Sequence, residues 1–185
     1  MKKSDIKPMP QYFNKYIDLV EDIELSEAFE DSLEQLDMLN IKQLMRLGDK
    51  VFIPGKWTVN KIIQHLIDSE RILSYRTLLF ARNDKSITAG FDQDFLADNS
   101  NADERSLIDL IEELKIVRLS TAALFNSFDE EILQKKGINW KYEISVLGMG
   151  FNIIGHQIHH FNIIGEKYYL LSSKNSALGQ IIIDD

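Results

Sequence analysis

Gly155-His156-Gln157-Ile158-His159-His160-Phe161, "GHQIHHF", holds three of the four histidines in this chain of 185 residues. The fourth, His65, sits in "QHLIDSE" at Gln64–Glu70, about ninety residues upstream. Both stretches lie inside long apolar-periodic segments. The fold therefore turns on whether two helices bring them together.

Working outward, "VLGMGFNIIGHQIHHFNIIGEKYYLL" (146–171) reads as one buried helix. Before it, the alternation of Ile138, Trp140, Tyr142 and Ile144 predicts a short extended piece or hairpin near 138–144. "ERSLIDLIEELKIVRLSTAALFNSF" (104–128) is a further helix, with Asp103 as its cap. A helix over 59–82 follows Thr58, another capping residue, and at 1.5 Å per residue it is about 35 Å long. Leu25, Phe29, Leu33, Leu36 and Leu39 form the stripe of a helix over 25–39, capped by Ser26. The segment 83–103 is polar and long for a compact domain, and is read as a crossover between distant helix ends. The expected architecture is an all-α four-helix bundle that departs from simple up-down order. Residues 1–20 form an N-terminal arm packing on the body, 21–171 the bundle and 172–185 a C-terminal tail.

Bulk properties narrow the function. The formal charge is −8, and the few clustered Lys and Arg give no basic patch, so no nucleic-acid partner is expected. There is no cysteine, which excludes disulfides and thiolate ligands; a metal site must use imidazole, carboxylate or amide groups. The N-terminus lacks the apolar stretch of a signal peptide, and no run is long enough to span a membrane. A cytoplasmic location and no membrane partner are expected.

On a helix, His156 and His160 are i and i+4, one turn apart on one face. His65 shares a stripe with Ser69, Ile72, Arg76 and Leu79. If these two helices face each other, three imidazoles converge inside the bundle. Isolated i,i+4 pairs are also found solvated, and a single core histidine is commonly just hydrogen-bonded. Burying three unpaired imidazoles is costly, however, and one divalent ion would satisfy them together. His159 flanks the pair as a supporting or surface group. Asp68 is about 60° off the His65 axis and could hold a histidine N–H; Glu70 points away. Asn152, one turn before His156, is expected along the cavity. Arg76, roughly 16 Å along the axis from His65, could bind a carboxylate or phosphate, or pair with a loop acid at the surface. Asp92 and Asp94 could fold over the site or remain solvated. Trp57 and Trp140 read as packing anchors.

"GKWTVNKIIQHLIDSERILSYRTLLFARND", "GFDQD" and "GHQIHHFNII" together resemble the DinB/YfiT-like superfamily of metal-dependent enzymes, from about Tyr12 to Tyr169. The resemblance implies a four-helix bundle with a crossover, a homodimer, and a metal site of His65, His156 and His160. The metal would be Zn, Ni or Fe, with open positions beside the three imidazoles. It further implies a small-molecule substrate and a hydrolase or thiol S-transferase activity that activates water or a low-molecular-weight thiol. The alternative is a non-catalytic dimeric protein that binds metal or a small molecule. No nucleophilic cysteine, Gly-rich phosphate loop or G-x-S-x-G elbow is present, so catalysis would rest on the metal.

Overall fold

A computed structural model describes residues 1–86 and 88–171; the expected tail, 172–185, lies outside the described residues. Four long helices carry the fold: α2 (Leu25–Asp37), α4 (Val59–Ala81), α6 (Leu107–Asn126) and α8 (Val146–Ile163). Short helices connect them: α1 (Asn14–Ile17), α3 (Ile41–Met45), α5 (Gln93–Asp98) and α7 (Glu130–Gln134). Strands β1 (Lys136–Asn139) and β2 (Tyr142–Ser145) form an antiparallel hairpin, with Lys136 opposite Ser145 and Asn139 opposite Tyr142.

Helix α4 neighbours α6 and α8, and so does α2. Directions follow from the contacts. Asn60 donates to the carbonyls of Ala102 and Arg105 just ahead of α6, while Ser74 meets Thr121 at 3.0 Å further along, so α4 and α6 are parallel. Leu25 packs at Gly150 and Gln157 donates to the Ser32 carbonyl, so α2 and α8 are parallel too. The two pairs run against each other: His65 meets His156, whereas Trp57, earlier on its side, accepts from Tyr168. The order is up-down-down-up, and the segment after α4 is the crossover a parallel neighbour requires.

Local chemistry sets most of the helix ends. Thr58 Oγ1 accepts from the Lys61 N–H at 3.1 Å and starts α4 as expected. Two expected caps are displaced. Ser106, not Asp103, caps α6 by accepting from Ile108; Asp103 instead accepts the Thr58 hydroxyl, tying the starts of α4 and α6 together. Ser26 lies inside the first turn of α2, which begins at Leu25 without a side-chain cap. Helix α8 also stops at Ile163 and widens into a π-helical turn over Ile164–Tyr168.

The arm packs on the body, with Ile6, Phe13 and Ile17 buried and α1 lying on α8. The apolar core is in two parts. One gathers around Phe29, Phe80, Phe125 and Phe151, the other around Ile63, Leu110, Leu114 and Tyr168. Between them lies a layer of buried polar side chains that includes His65, Ser69, Glu70, Arg118 and Gln157. No helix among the described residues is long and apolar enough to cross a membrane.

Candidate functional site

The polar layer contains the histidines. Helix α4 presents His65, Ser69, Leu73 and Arg76 along one cavity wall, at the i, i+4, i+8 and i+11 positions of one stripe. Helix α8 contributes Asn152 and His156 from the facing side. His156 Nε2 stands 3.2 Å from His65 Nε2 and 3.1 Å from His160 Nε2. These three residues form the metal-capable cluster among the described residues, with ligand atoms within 4.8 Å of one another.

All three imidazoles are held neutral. Burial, then His159, brings His65 down to about 4. Burial, then His65 and His159, brings His160 to about 3. His156 is pushed well below the usual range by burial and then by its neighbours, His160 foremost. Neutral imidazole is the form that offers a lone pair to a metal.

The contacts leave His156 Nε2 shared between two neighbours. A neutral ring nitrogen carries either one proton or one lone pair, so His156 Nε2 cannot make two good bonds in different senses. Two short contacts converge on that one atom. Nitrogens bound 2.0–2.1 Å from a common ion at tetrahedral or cis-octahedral angles stand roughly 2.8–3.4 Å apart. Both spacings from His156 lie in that interval and the three ligand atoms are within 4.8 Å of one another, an arrangement that could hold a divalent ion.

Around the trio, Ser69 Oγ lies 3.4 Å from His65 Nδ1, whereas Asp68 accepts from Gln64 at 2.9 Å and does not reach a histidine. The supporting group on α4 is thus Ser69, one residue beyond the expected Asp68. His159 stays outside the trio; its ring packs against Tyr16 at 5.4 Å and His160 at 5.1 Å. Glu70 points away as expected and forms a buried bidentate pair with Arg118. The His160 Nδ1 is buried without a partner among the described residues.

Two cavities flank the cluster. The first, about 260 Å³, opens beside His65 and His156 and runs along α4 to Arg76. Its aromatic wall comes from Tyr12, Phe13 and Tyr16 near α1, Phe91 in the crossover and Trp140 in the hairpin turn. Tyr12 and Trp140 both have left-handed φ values, 68° and 60°, and their rings meet at 5.5 Å. Such strained backbone on bulky residues is held by its surroundings and is concentrated at functional sites. The second cavity, about 720 Å³, opens on His160 and is bordered by Trp57, Lys61, Asp94 and Asp98. Gln93 borders both.

Arg76 is a wall of the first cavity rather than a surface residue paired with an acid: it donates to Asn139 and to the Ala89 carbonyl. Asp92 caps α5, and Asp94 faces the second cavity. Trp57 and Trp140 do more than pack. The Trp57 ring lies 4.8 Å from that of His65, and Trp140 closes the first cavity.

Fold and site together define a helical-bundle protein with a buried three-histidine cluster between facing helices, beside a cavity. The chain belongs to the DinB superfamily, whose family model matches residues 10–164. Among solved structures, its fold is similar to that of YfiT from Bacillus subtilis, described as a probable metal-dependent hydrolase with an unusual four-helix bundle topology. The TM-score is 0.64 and the identity 18%, over 86% of this chain and 87% of that one. No curated protein matches the chain.

Proposed function

We propose that the chain is a divalent-metal-dependent enzyme of hydrolase or thiol S-transferase type, with His65, His156 and His160 as ligands to Zn, Ni or Fe. The observation that carries this reading is the pair of 3.1 and 3.2 Å contacts converging on His156 Nε2, where one lone pair or one proton would have to serve both neighbours and a shared ion would hold all three rings. YfiT, which shares the fold, is described as a probable metal-dependent hydrolase, in keeping with this reading. A divalent ion bound by three imidazoles supplies Lewis acidity, lowering the pKa of a coordinated water or thiol toward neutrality.

The chain's own groups do the rest. Ser69 orients the His65 ring through Nδ1, and the Trp57 and Tyr16 rings pack the imidazoles from two sides. The first cavity receives a small-molecule substrate; the second gives a low-molecular-weight thiol or water its own approach from the His160 side. We also place a homodimer contact on the exposed apolar side of α4 and α6, where Tyr75, Leu78, Ile116 and Leu119 stand out to solvent. The chain is expected to act in the cytoplasm.

Elemental analysis of untagged protein, beside His65→Ala and His156→Ala, tests the site. Near-stoichiometric Zn, Ni or Fe lost in both variants supports the ligand set and directs a screen of ester and thiol-transfer substrates. No metal after incubation with divalent ions overturns it. Metal that raises the melting temperature without turnover on that screen favours the binding-protein alternative.

A further inference from the structure

Two arginines are buried in the polar layer or beside it, and the chain treats them differently. Arg118, 1% exposed, is neutralised by Glu70 with paired contacts of 2.9 Å. Arg76, 5% exposed, has no carboxylate partner among the described residues. Its Nη1 donates to Asn139 Oδ1 at 2.6 Å, its Nη2 to the Ala89 carbonyl at 2.5 Å, and its guanidinium lies 5.5 Å from the Phe91 ring centre. Those contacts use two of the five N–H groups of a guanidinium, and no carboxylate among the described residues balances its charge.

A buried, uncompensated cation is costly, and proteins retain one where a ligand completes it. Among the described residues, the cavity that Arg76 borders has no Asp or Glu in its lining, although acids outnumber bases 29 to 21 in the chain. A second group in the same cavity also lacks a partner among the described residues: Asn152, 3% exposed, has its Oδ1 buried without a hydrogen bond there. One wall thus offers unused cationic donors, the facing helix an unused acceptor, and aromatic rings lie around both.

We infer that Arg76 anchors the carboxylate of a small, elongated, partly aromatic or apolar substrate whose other end reaches the three histidines. Asn152 accepts from an N–H or O–H along its length. This rests on the reading of the first cavity as the substrate side of the three-histidine site. Asn139 links Arg76 to Met149 on α8, at 3.5 Å, and Met149 precedes His156 by seven residues. Along α4, Arg76 and His65 are eleven residues apart, about 16 Å at 1.5 Å per residue, a span that the Arg76 side chain and an elongated ligand fill together. Planar guanidinium donors suit a carboxylate, which can take two of them side by side. Asn139 and Ala89 fix the guanidinium before any ligand arrives, so little ordering is left for the binding step.

The test is calorimetric binding of phenylacetate, hydrocinnamate and phenylbutyrate, each beside its primary amide, to metal-free and metal-loaded wild-type protein. At least one carboxylate is expected to bind both forms, with its amide roughly tenfold or more weaker, since a charge-assisted contact is lost. Arg76→Gln should lose about as much and Arg76→Lys should recover part of it. Asn152→Asp, near-isosteric, should also weaken the carboxylate by placing a like charge in the cavity, and it serves if Arg76→Gln fails to fold. Binding of none of the three acids, equal binding of the amide, or binding unchanged in both Arg76→Gln and Asn152→Asp overturns the inference. Binding seen only with metal and unchanged in Arg76→Gln assigns the carboxylate to the ion, which overturns this inference while supporting the metal site. Arg76-dependent binding in protein that takes up no metal does the reverse.

Discussion

The carbonyl oxygen of Tyr16 lies 2.0 Å from the point where a Cβ on Gly155 would stand. Helix α1 therefore rests directly on the backbone of α8, one residue before the first histidine of the trio. The same approach brings the Tyr16 ring to 5.1 Å from that of His156. Gly155→Ala is expected to destabilise the protein by about 1–3 kcal/mol, because backbone rather than a flexible side chain must move. Gly165→Ala, with nothing within 4 Å, should be neutral or stabilising by up to about 1 kcal/mol. Urea midpoints of the two variants check this; equal midpoints would show that α1 does not seat on Gly155.

Acid should unfold the metal-free protein early. His65 and His160 are held at about 4 and about 3 in the fold, against 6.5 for an ordinary histidine. As pH falls below 6.5 the unfolded chain takes up protons that the folded chain refuses. Stability is complete above that value and drains away as pH falls toward the folded values, by roughly 1.4 kcal/mol per pH unit for each group. Denaturant titrations at neutral and mildly acidic pH, in chelator, should show this slope, and His65→Gln with His160→Gln should flatten it. A slope that the double variant leaves unchanged would assign it to other groups.

The Glu70–Arg118 pair supplies a separate test of the polar layer. Both residues are buried and joined by paired contacts, with Arg118 Nη1 left over. Glu70→Gln leaves a buried guanidinium uncompensated and should cost about 3–5 kcal/mol. Glu70→Leu combined with Arg118→Met removes both charges and should recover most of that loss. A thermal melt of the single and double variants decides it, and additive losses would argue against coupling.

The dimer proposed on α4 and α6 makes a further prediction. Leu119 is 56% exposed and Ile116 66%, beside Tyr75 at 61%. Leu119→Glu places a charge on that face and should yield a monomer by sedimentation equilibrium with the melting temperature little changed. A wild-type monomer at high concentration would remove the proposal.

The sequence disclosed most about the long helices and the metal-capable trio, because both are periodic. Thr58 as a cap, the i,i+4 pair of His156 and His160, and His65 on the facing stripe needed only the helical repeat to be read. The crossover was visible as a segment too long for a simple turn. What spacing cannot disclose is which loops meet. Tyr12, Phe91 and Trp140 close one cavity although they come from the start of the chain, the crossover and a hairpin turn. Asp68 and Ser69 are adjacent in sequence, and a rotation of one residue step decides which of them reaches His65. Asp103 looked like a cap by residue type, but Ser106 stands where the first free N–H groups of α6 emerge.

The parallel pairing of α4 with α6 has a kinetic consequence. His65 and His156 meet at a sequence separation of 91, with the crossover and all of α6 in the loop that their contact closes. Closing so long a loop is entropically costly, so the trio is expected to assemble late in folding. A divalent ion held there would act mainly after the folding transition state, slowing unfolding while leaving the folding rate nearly unchanged.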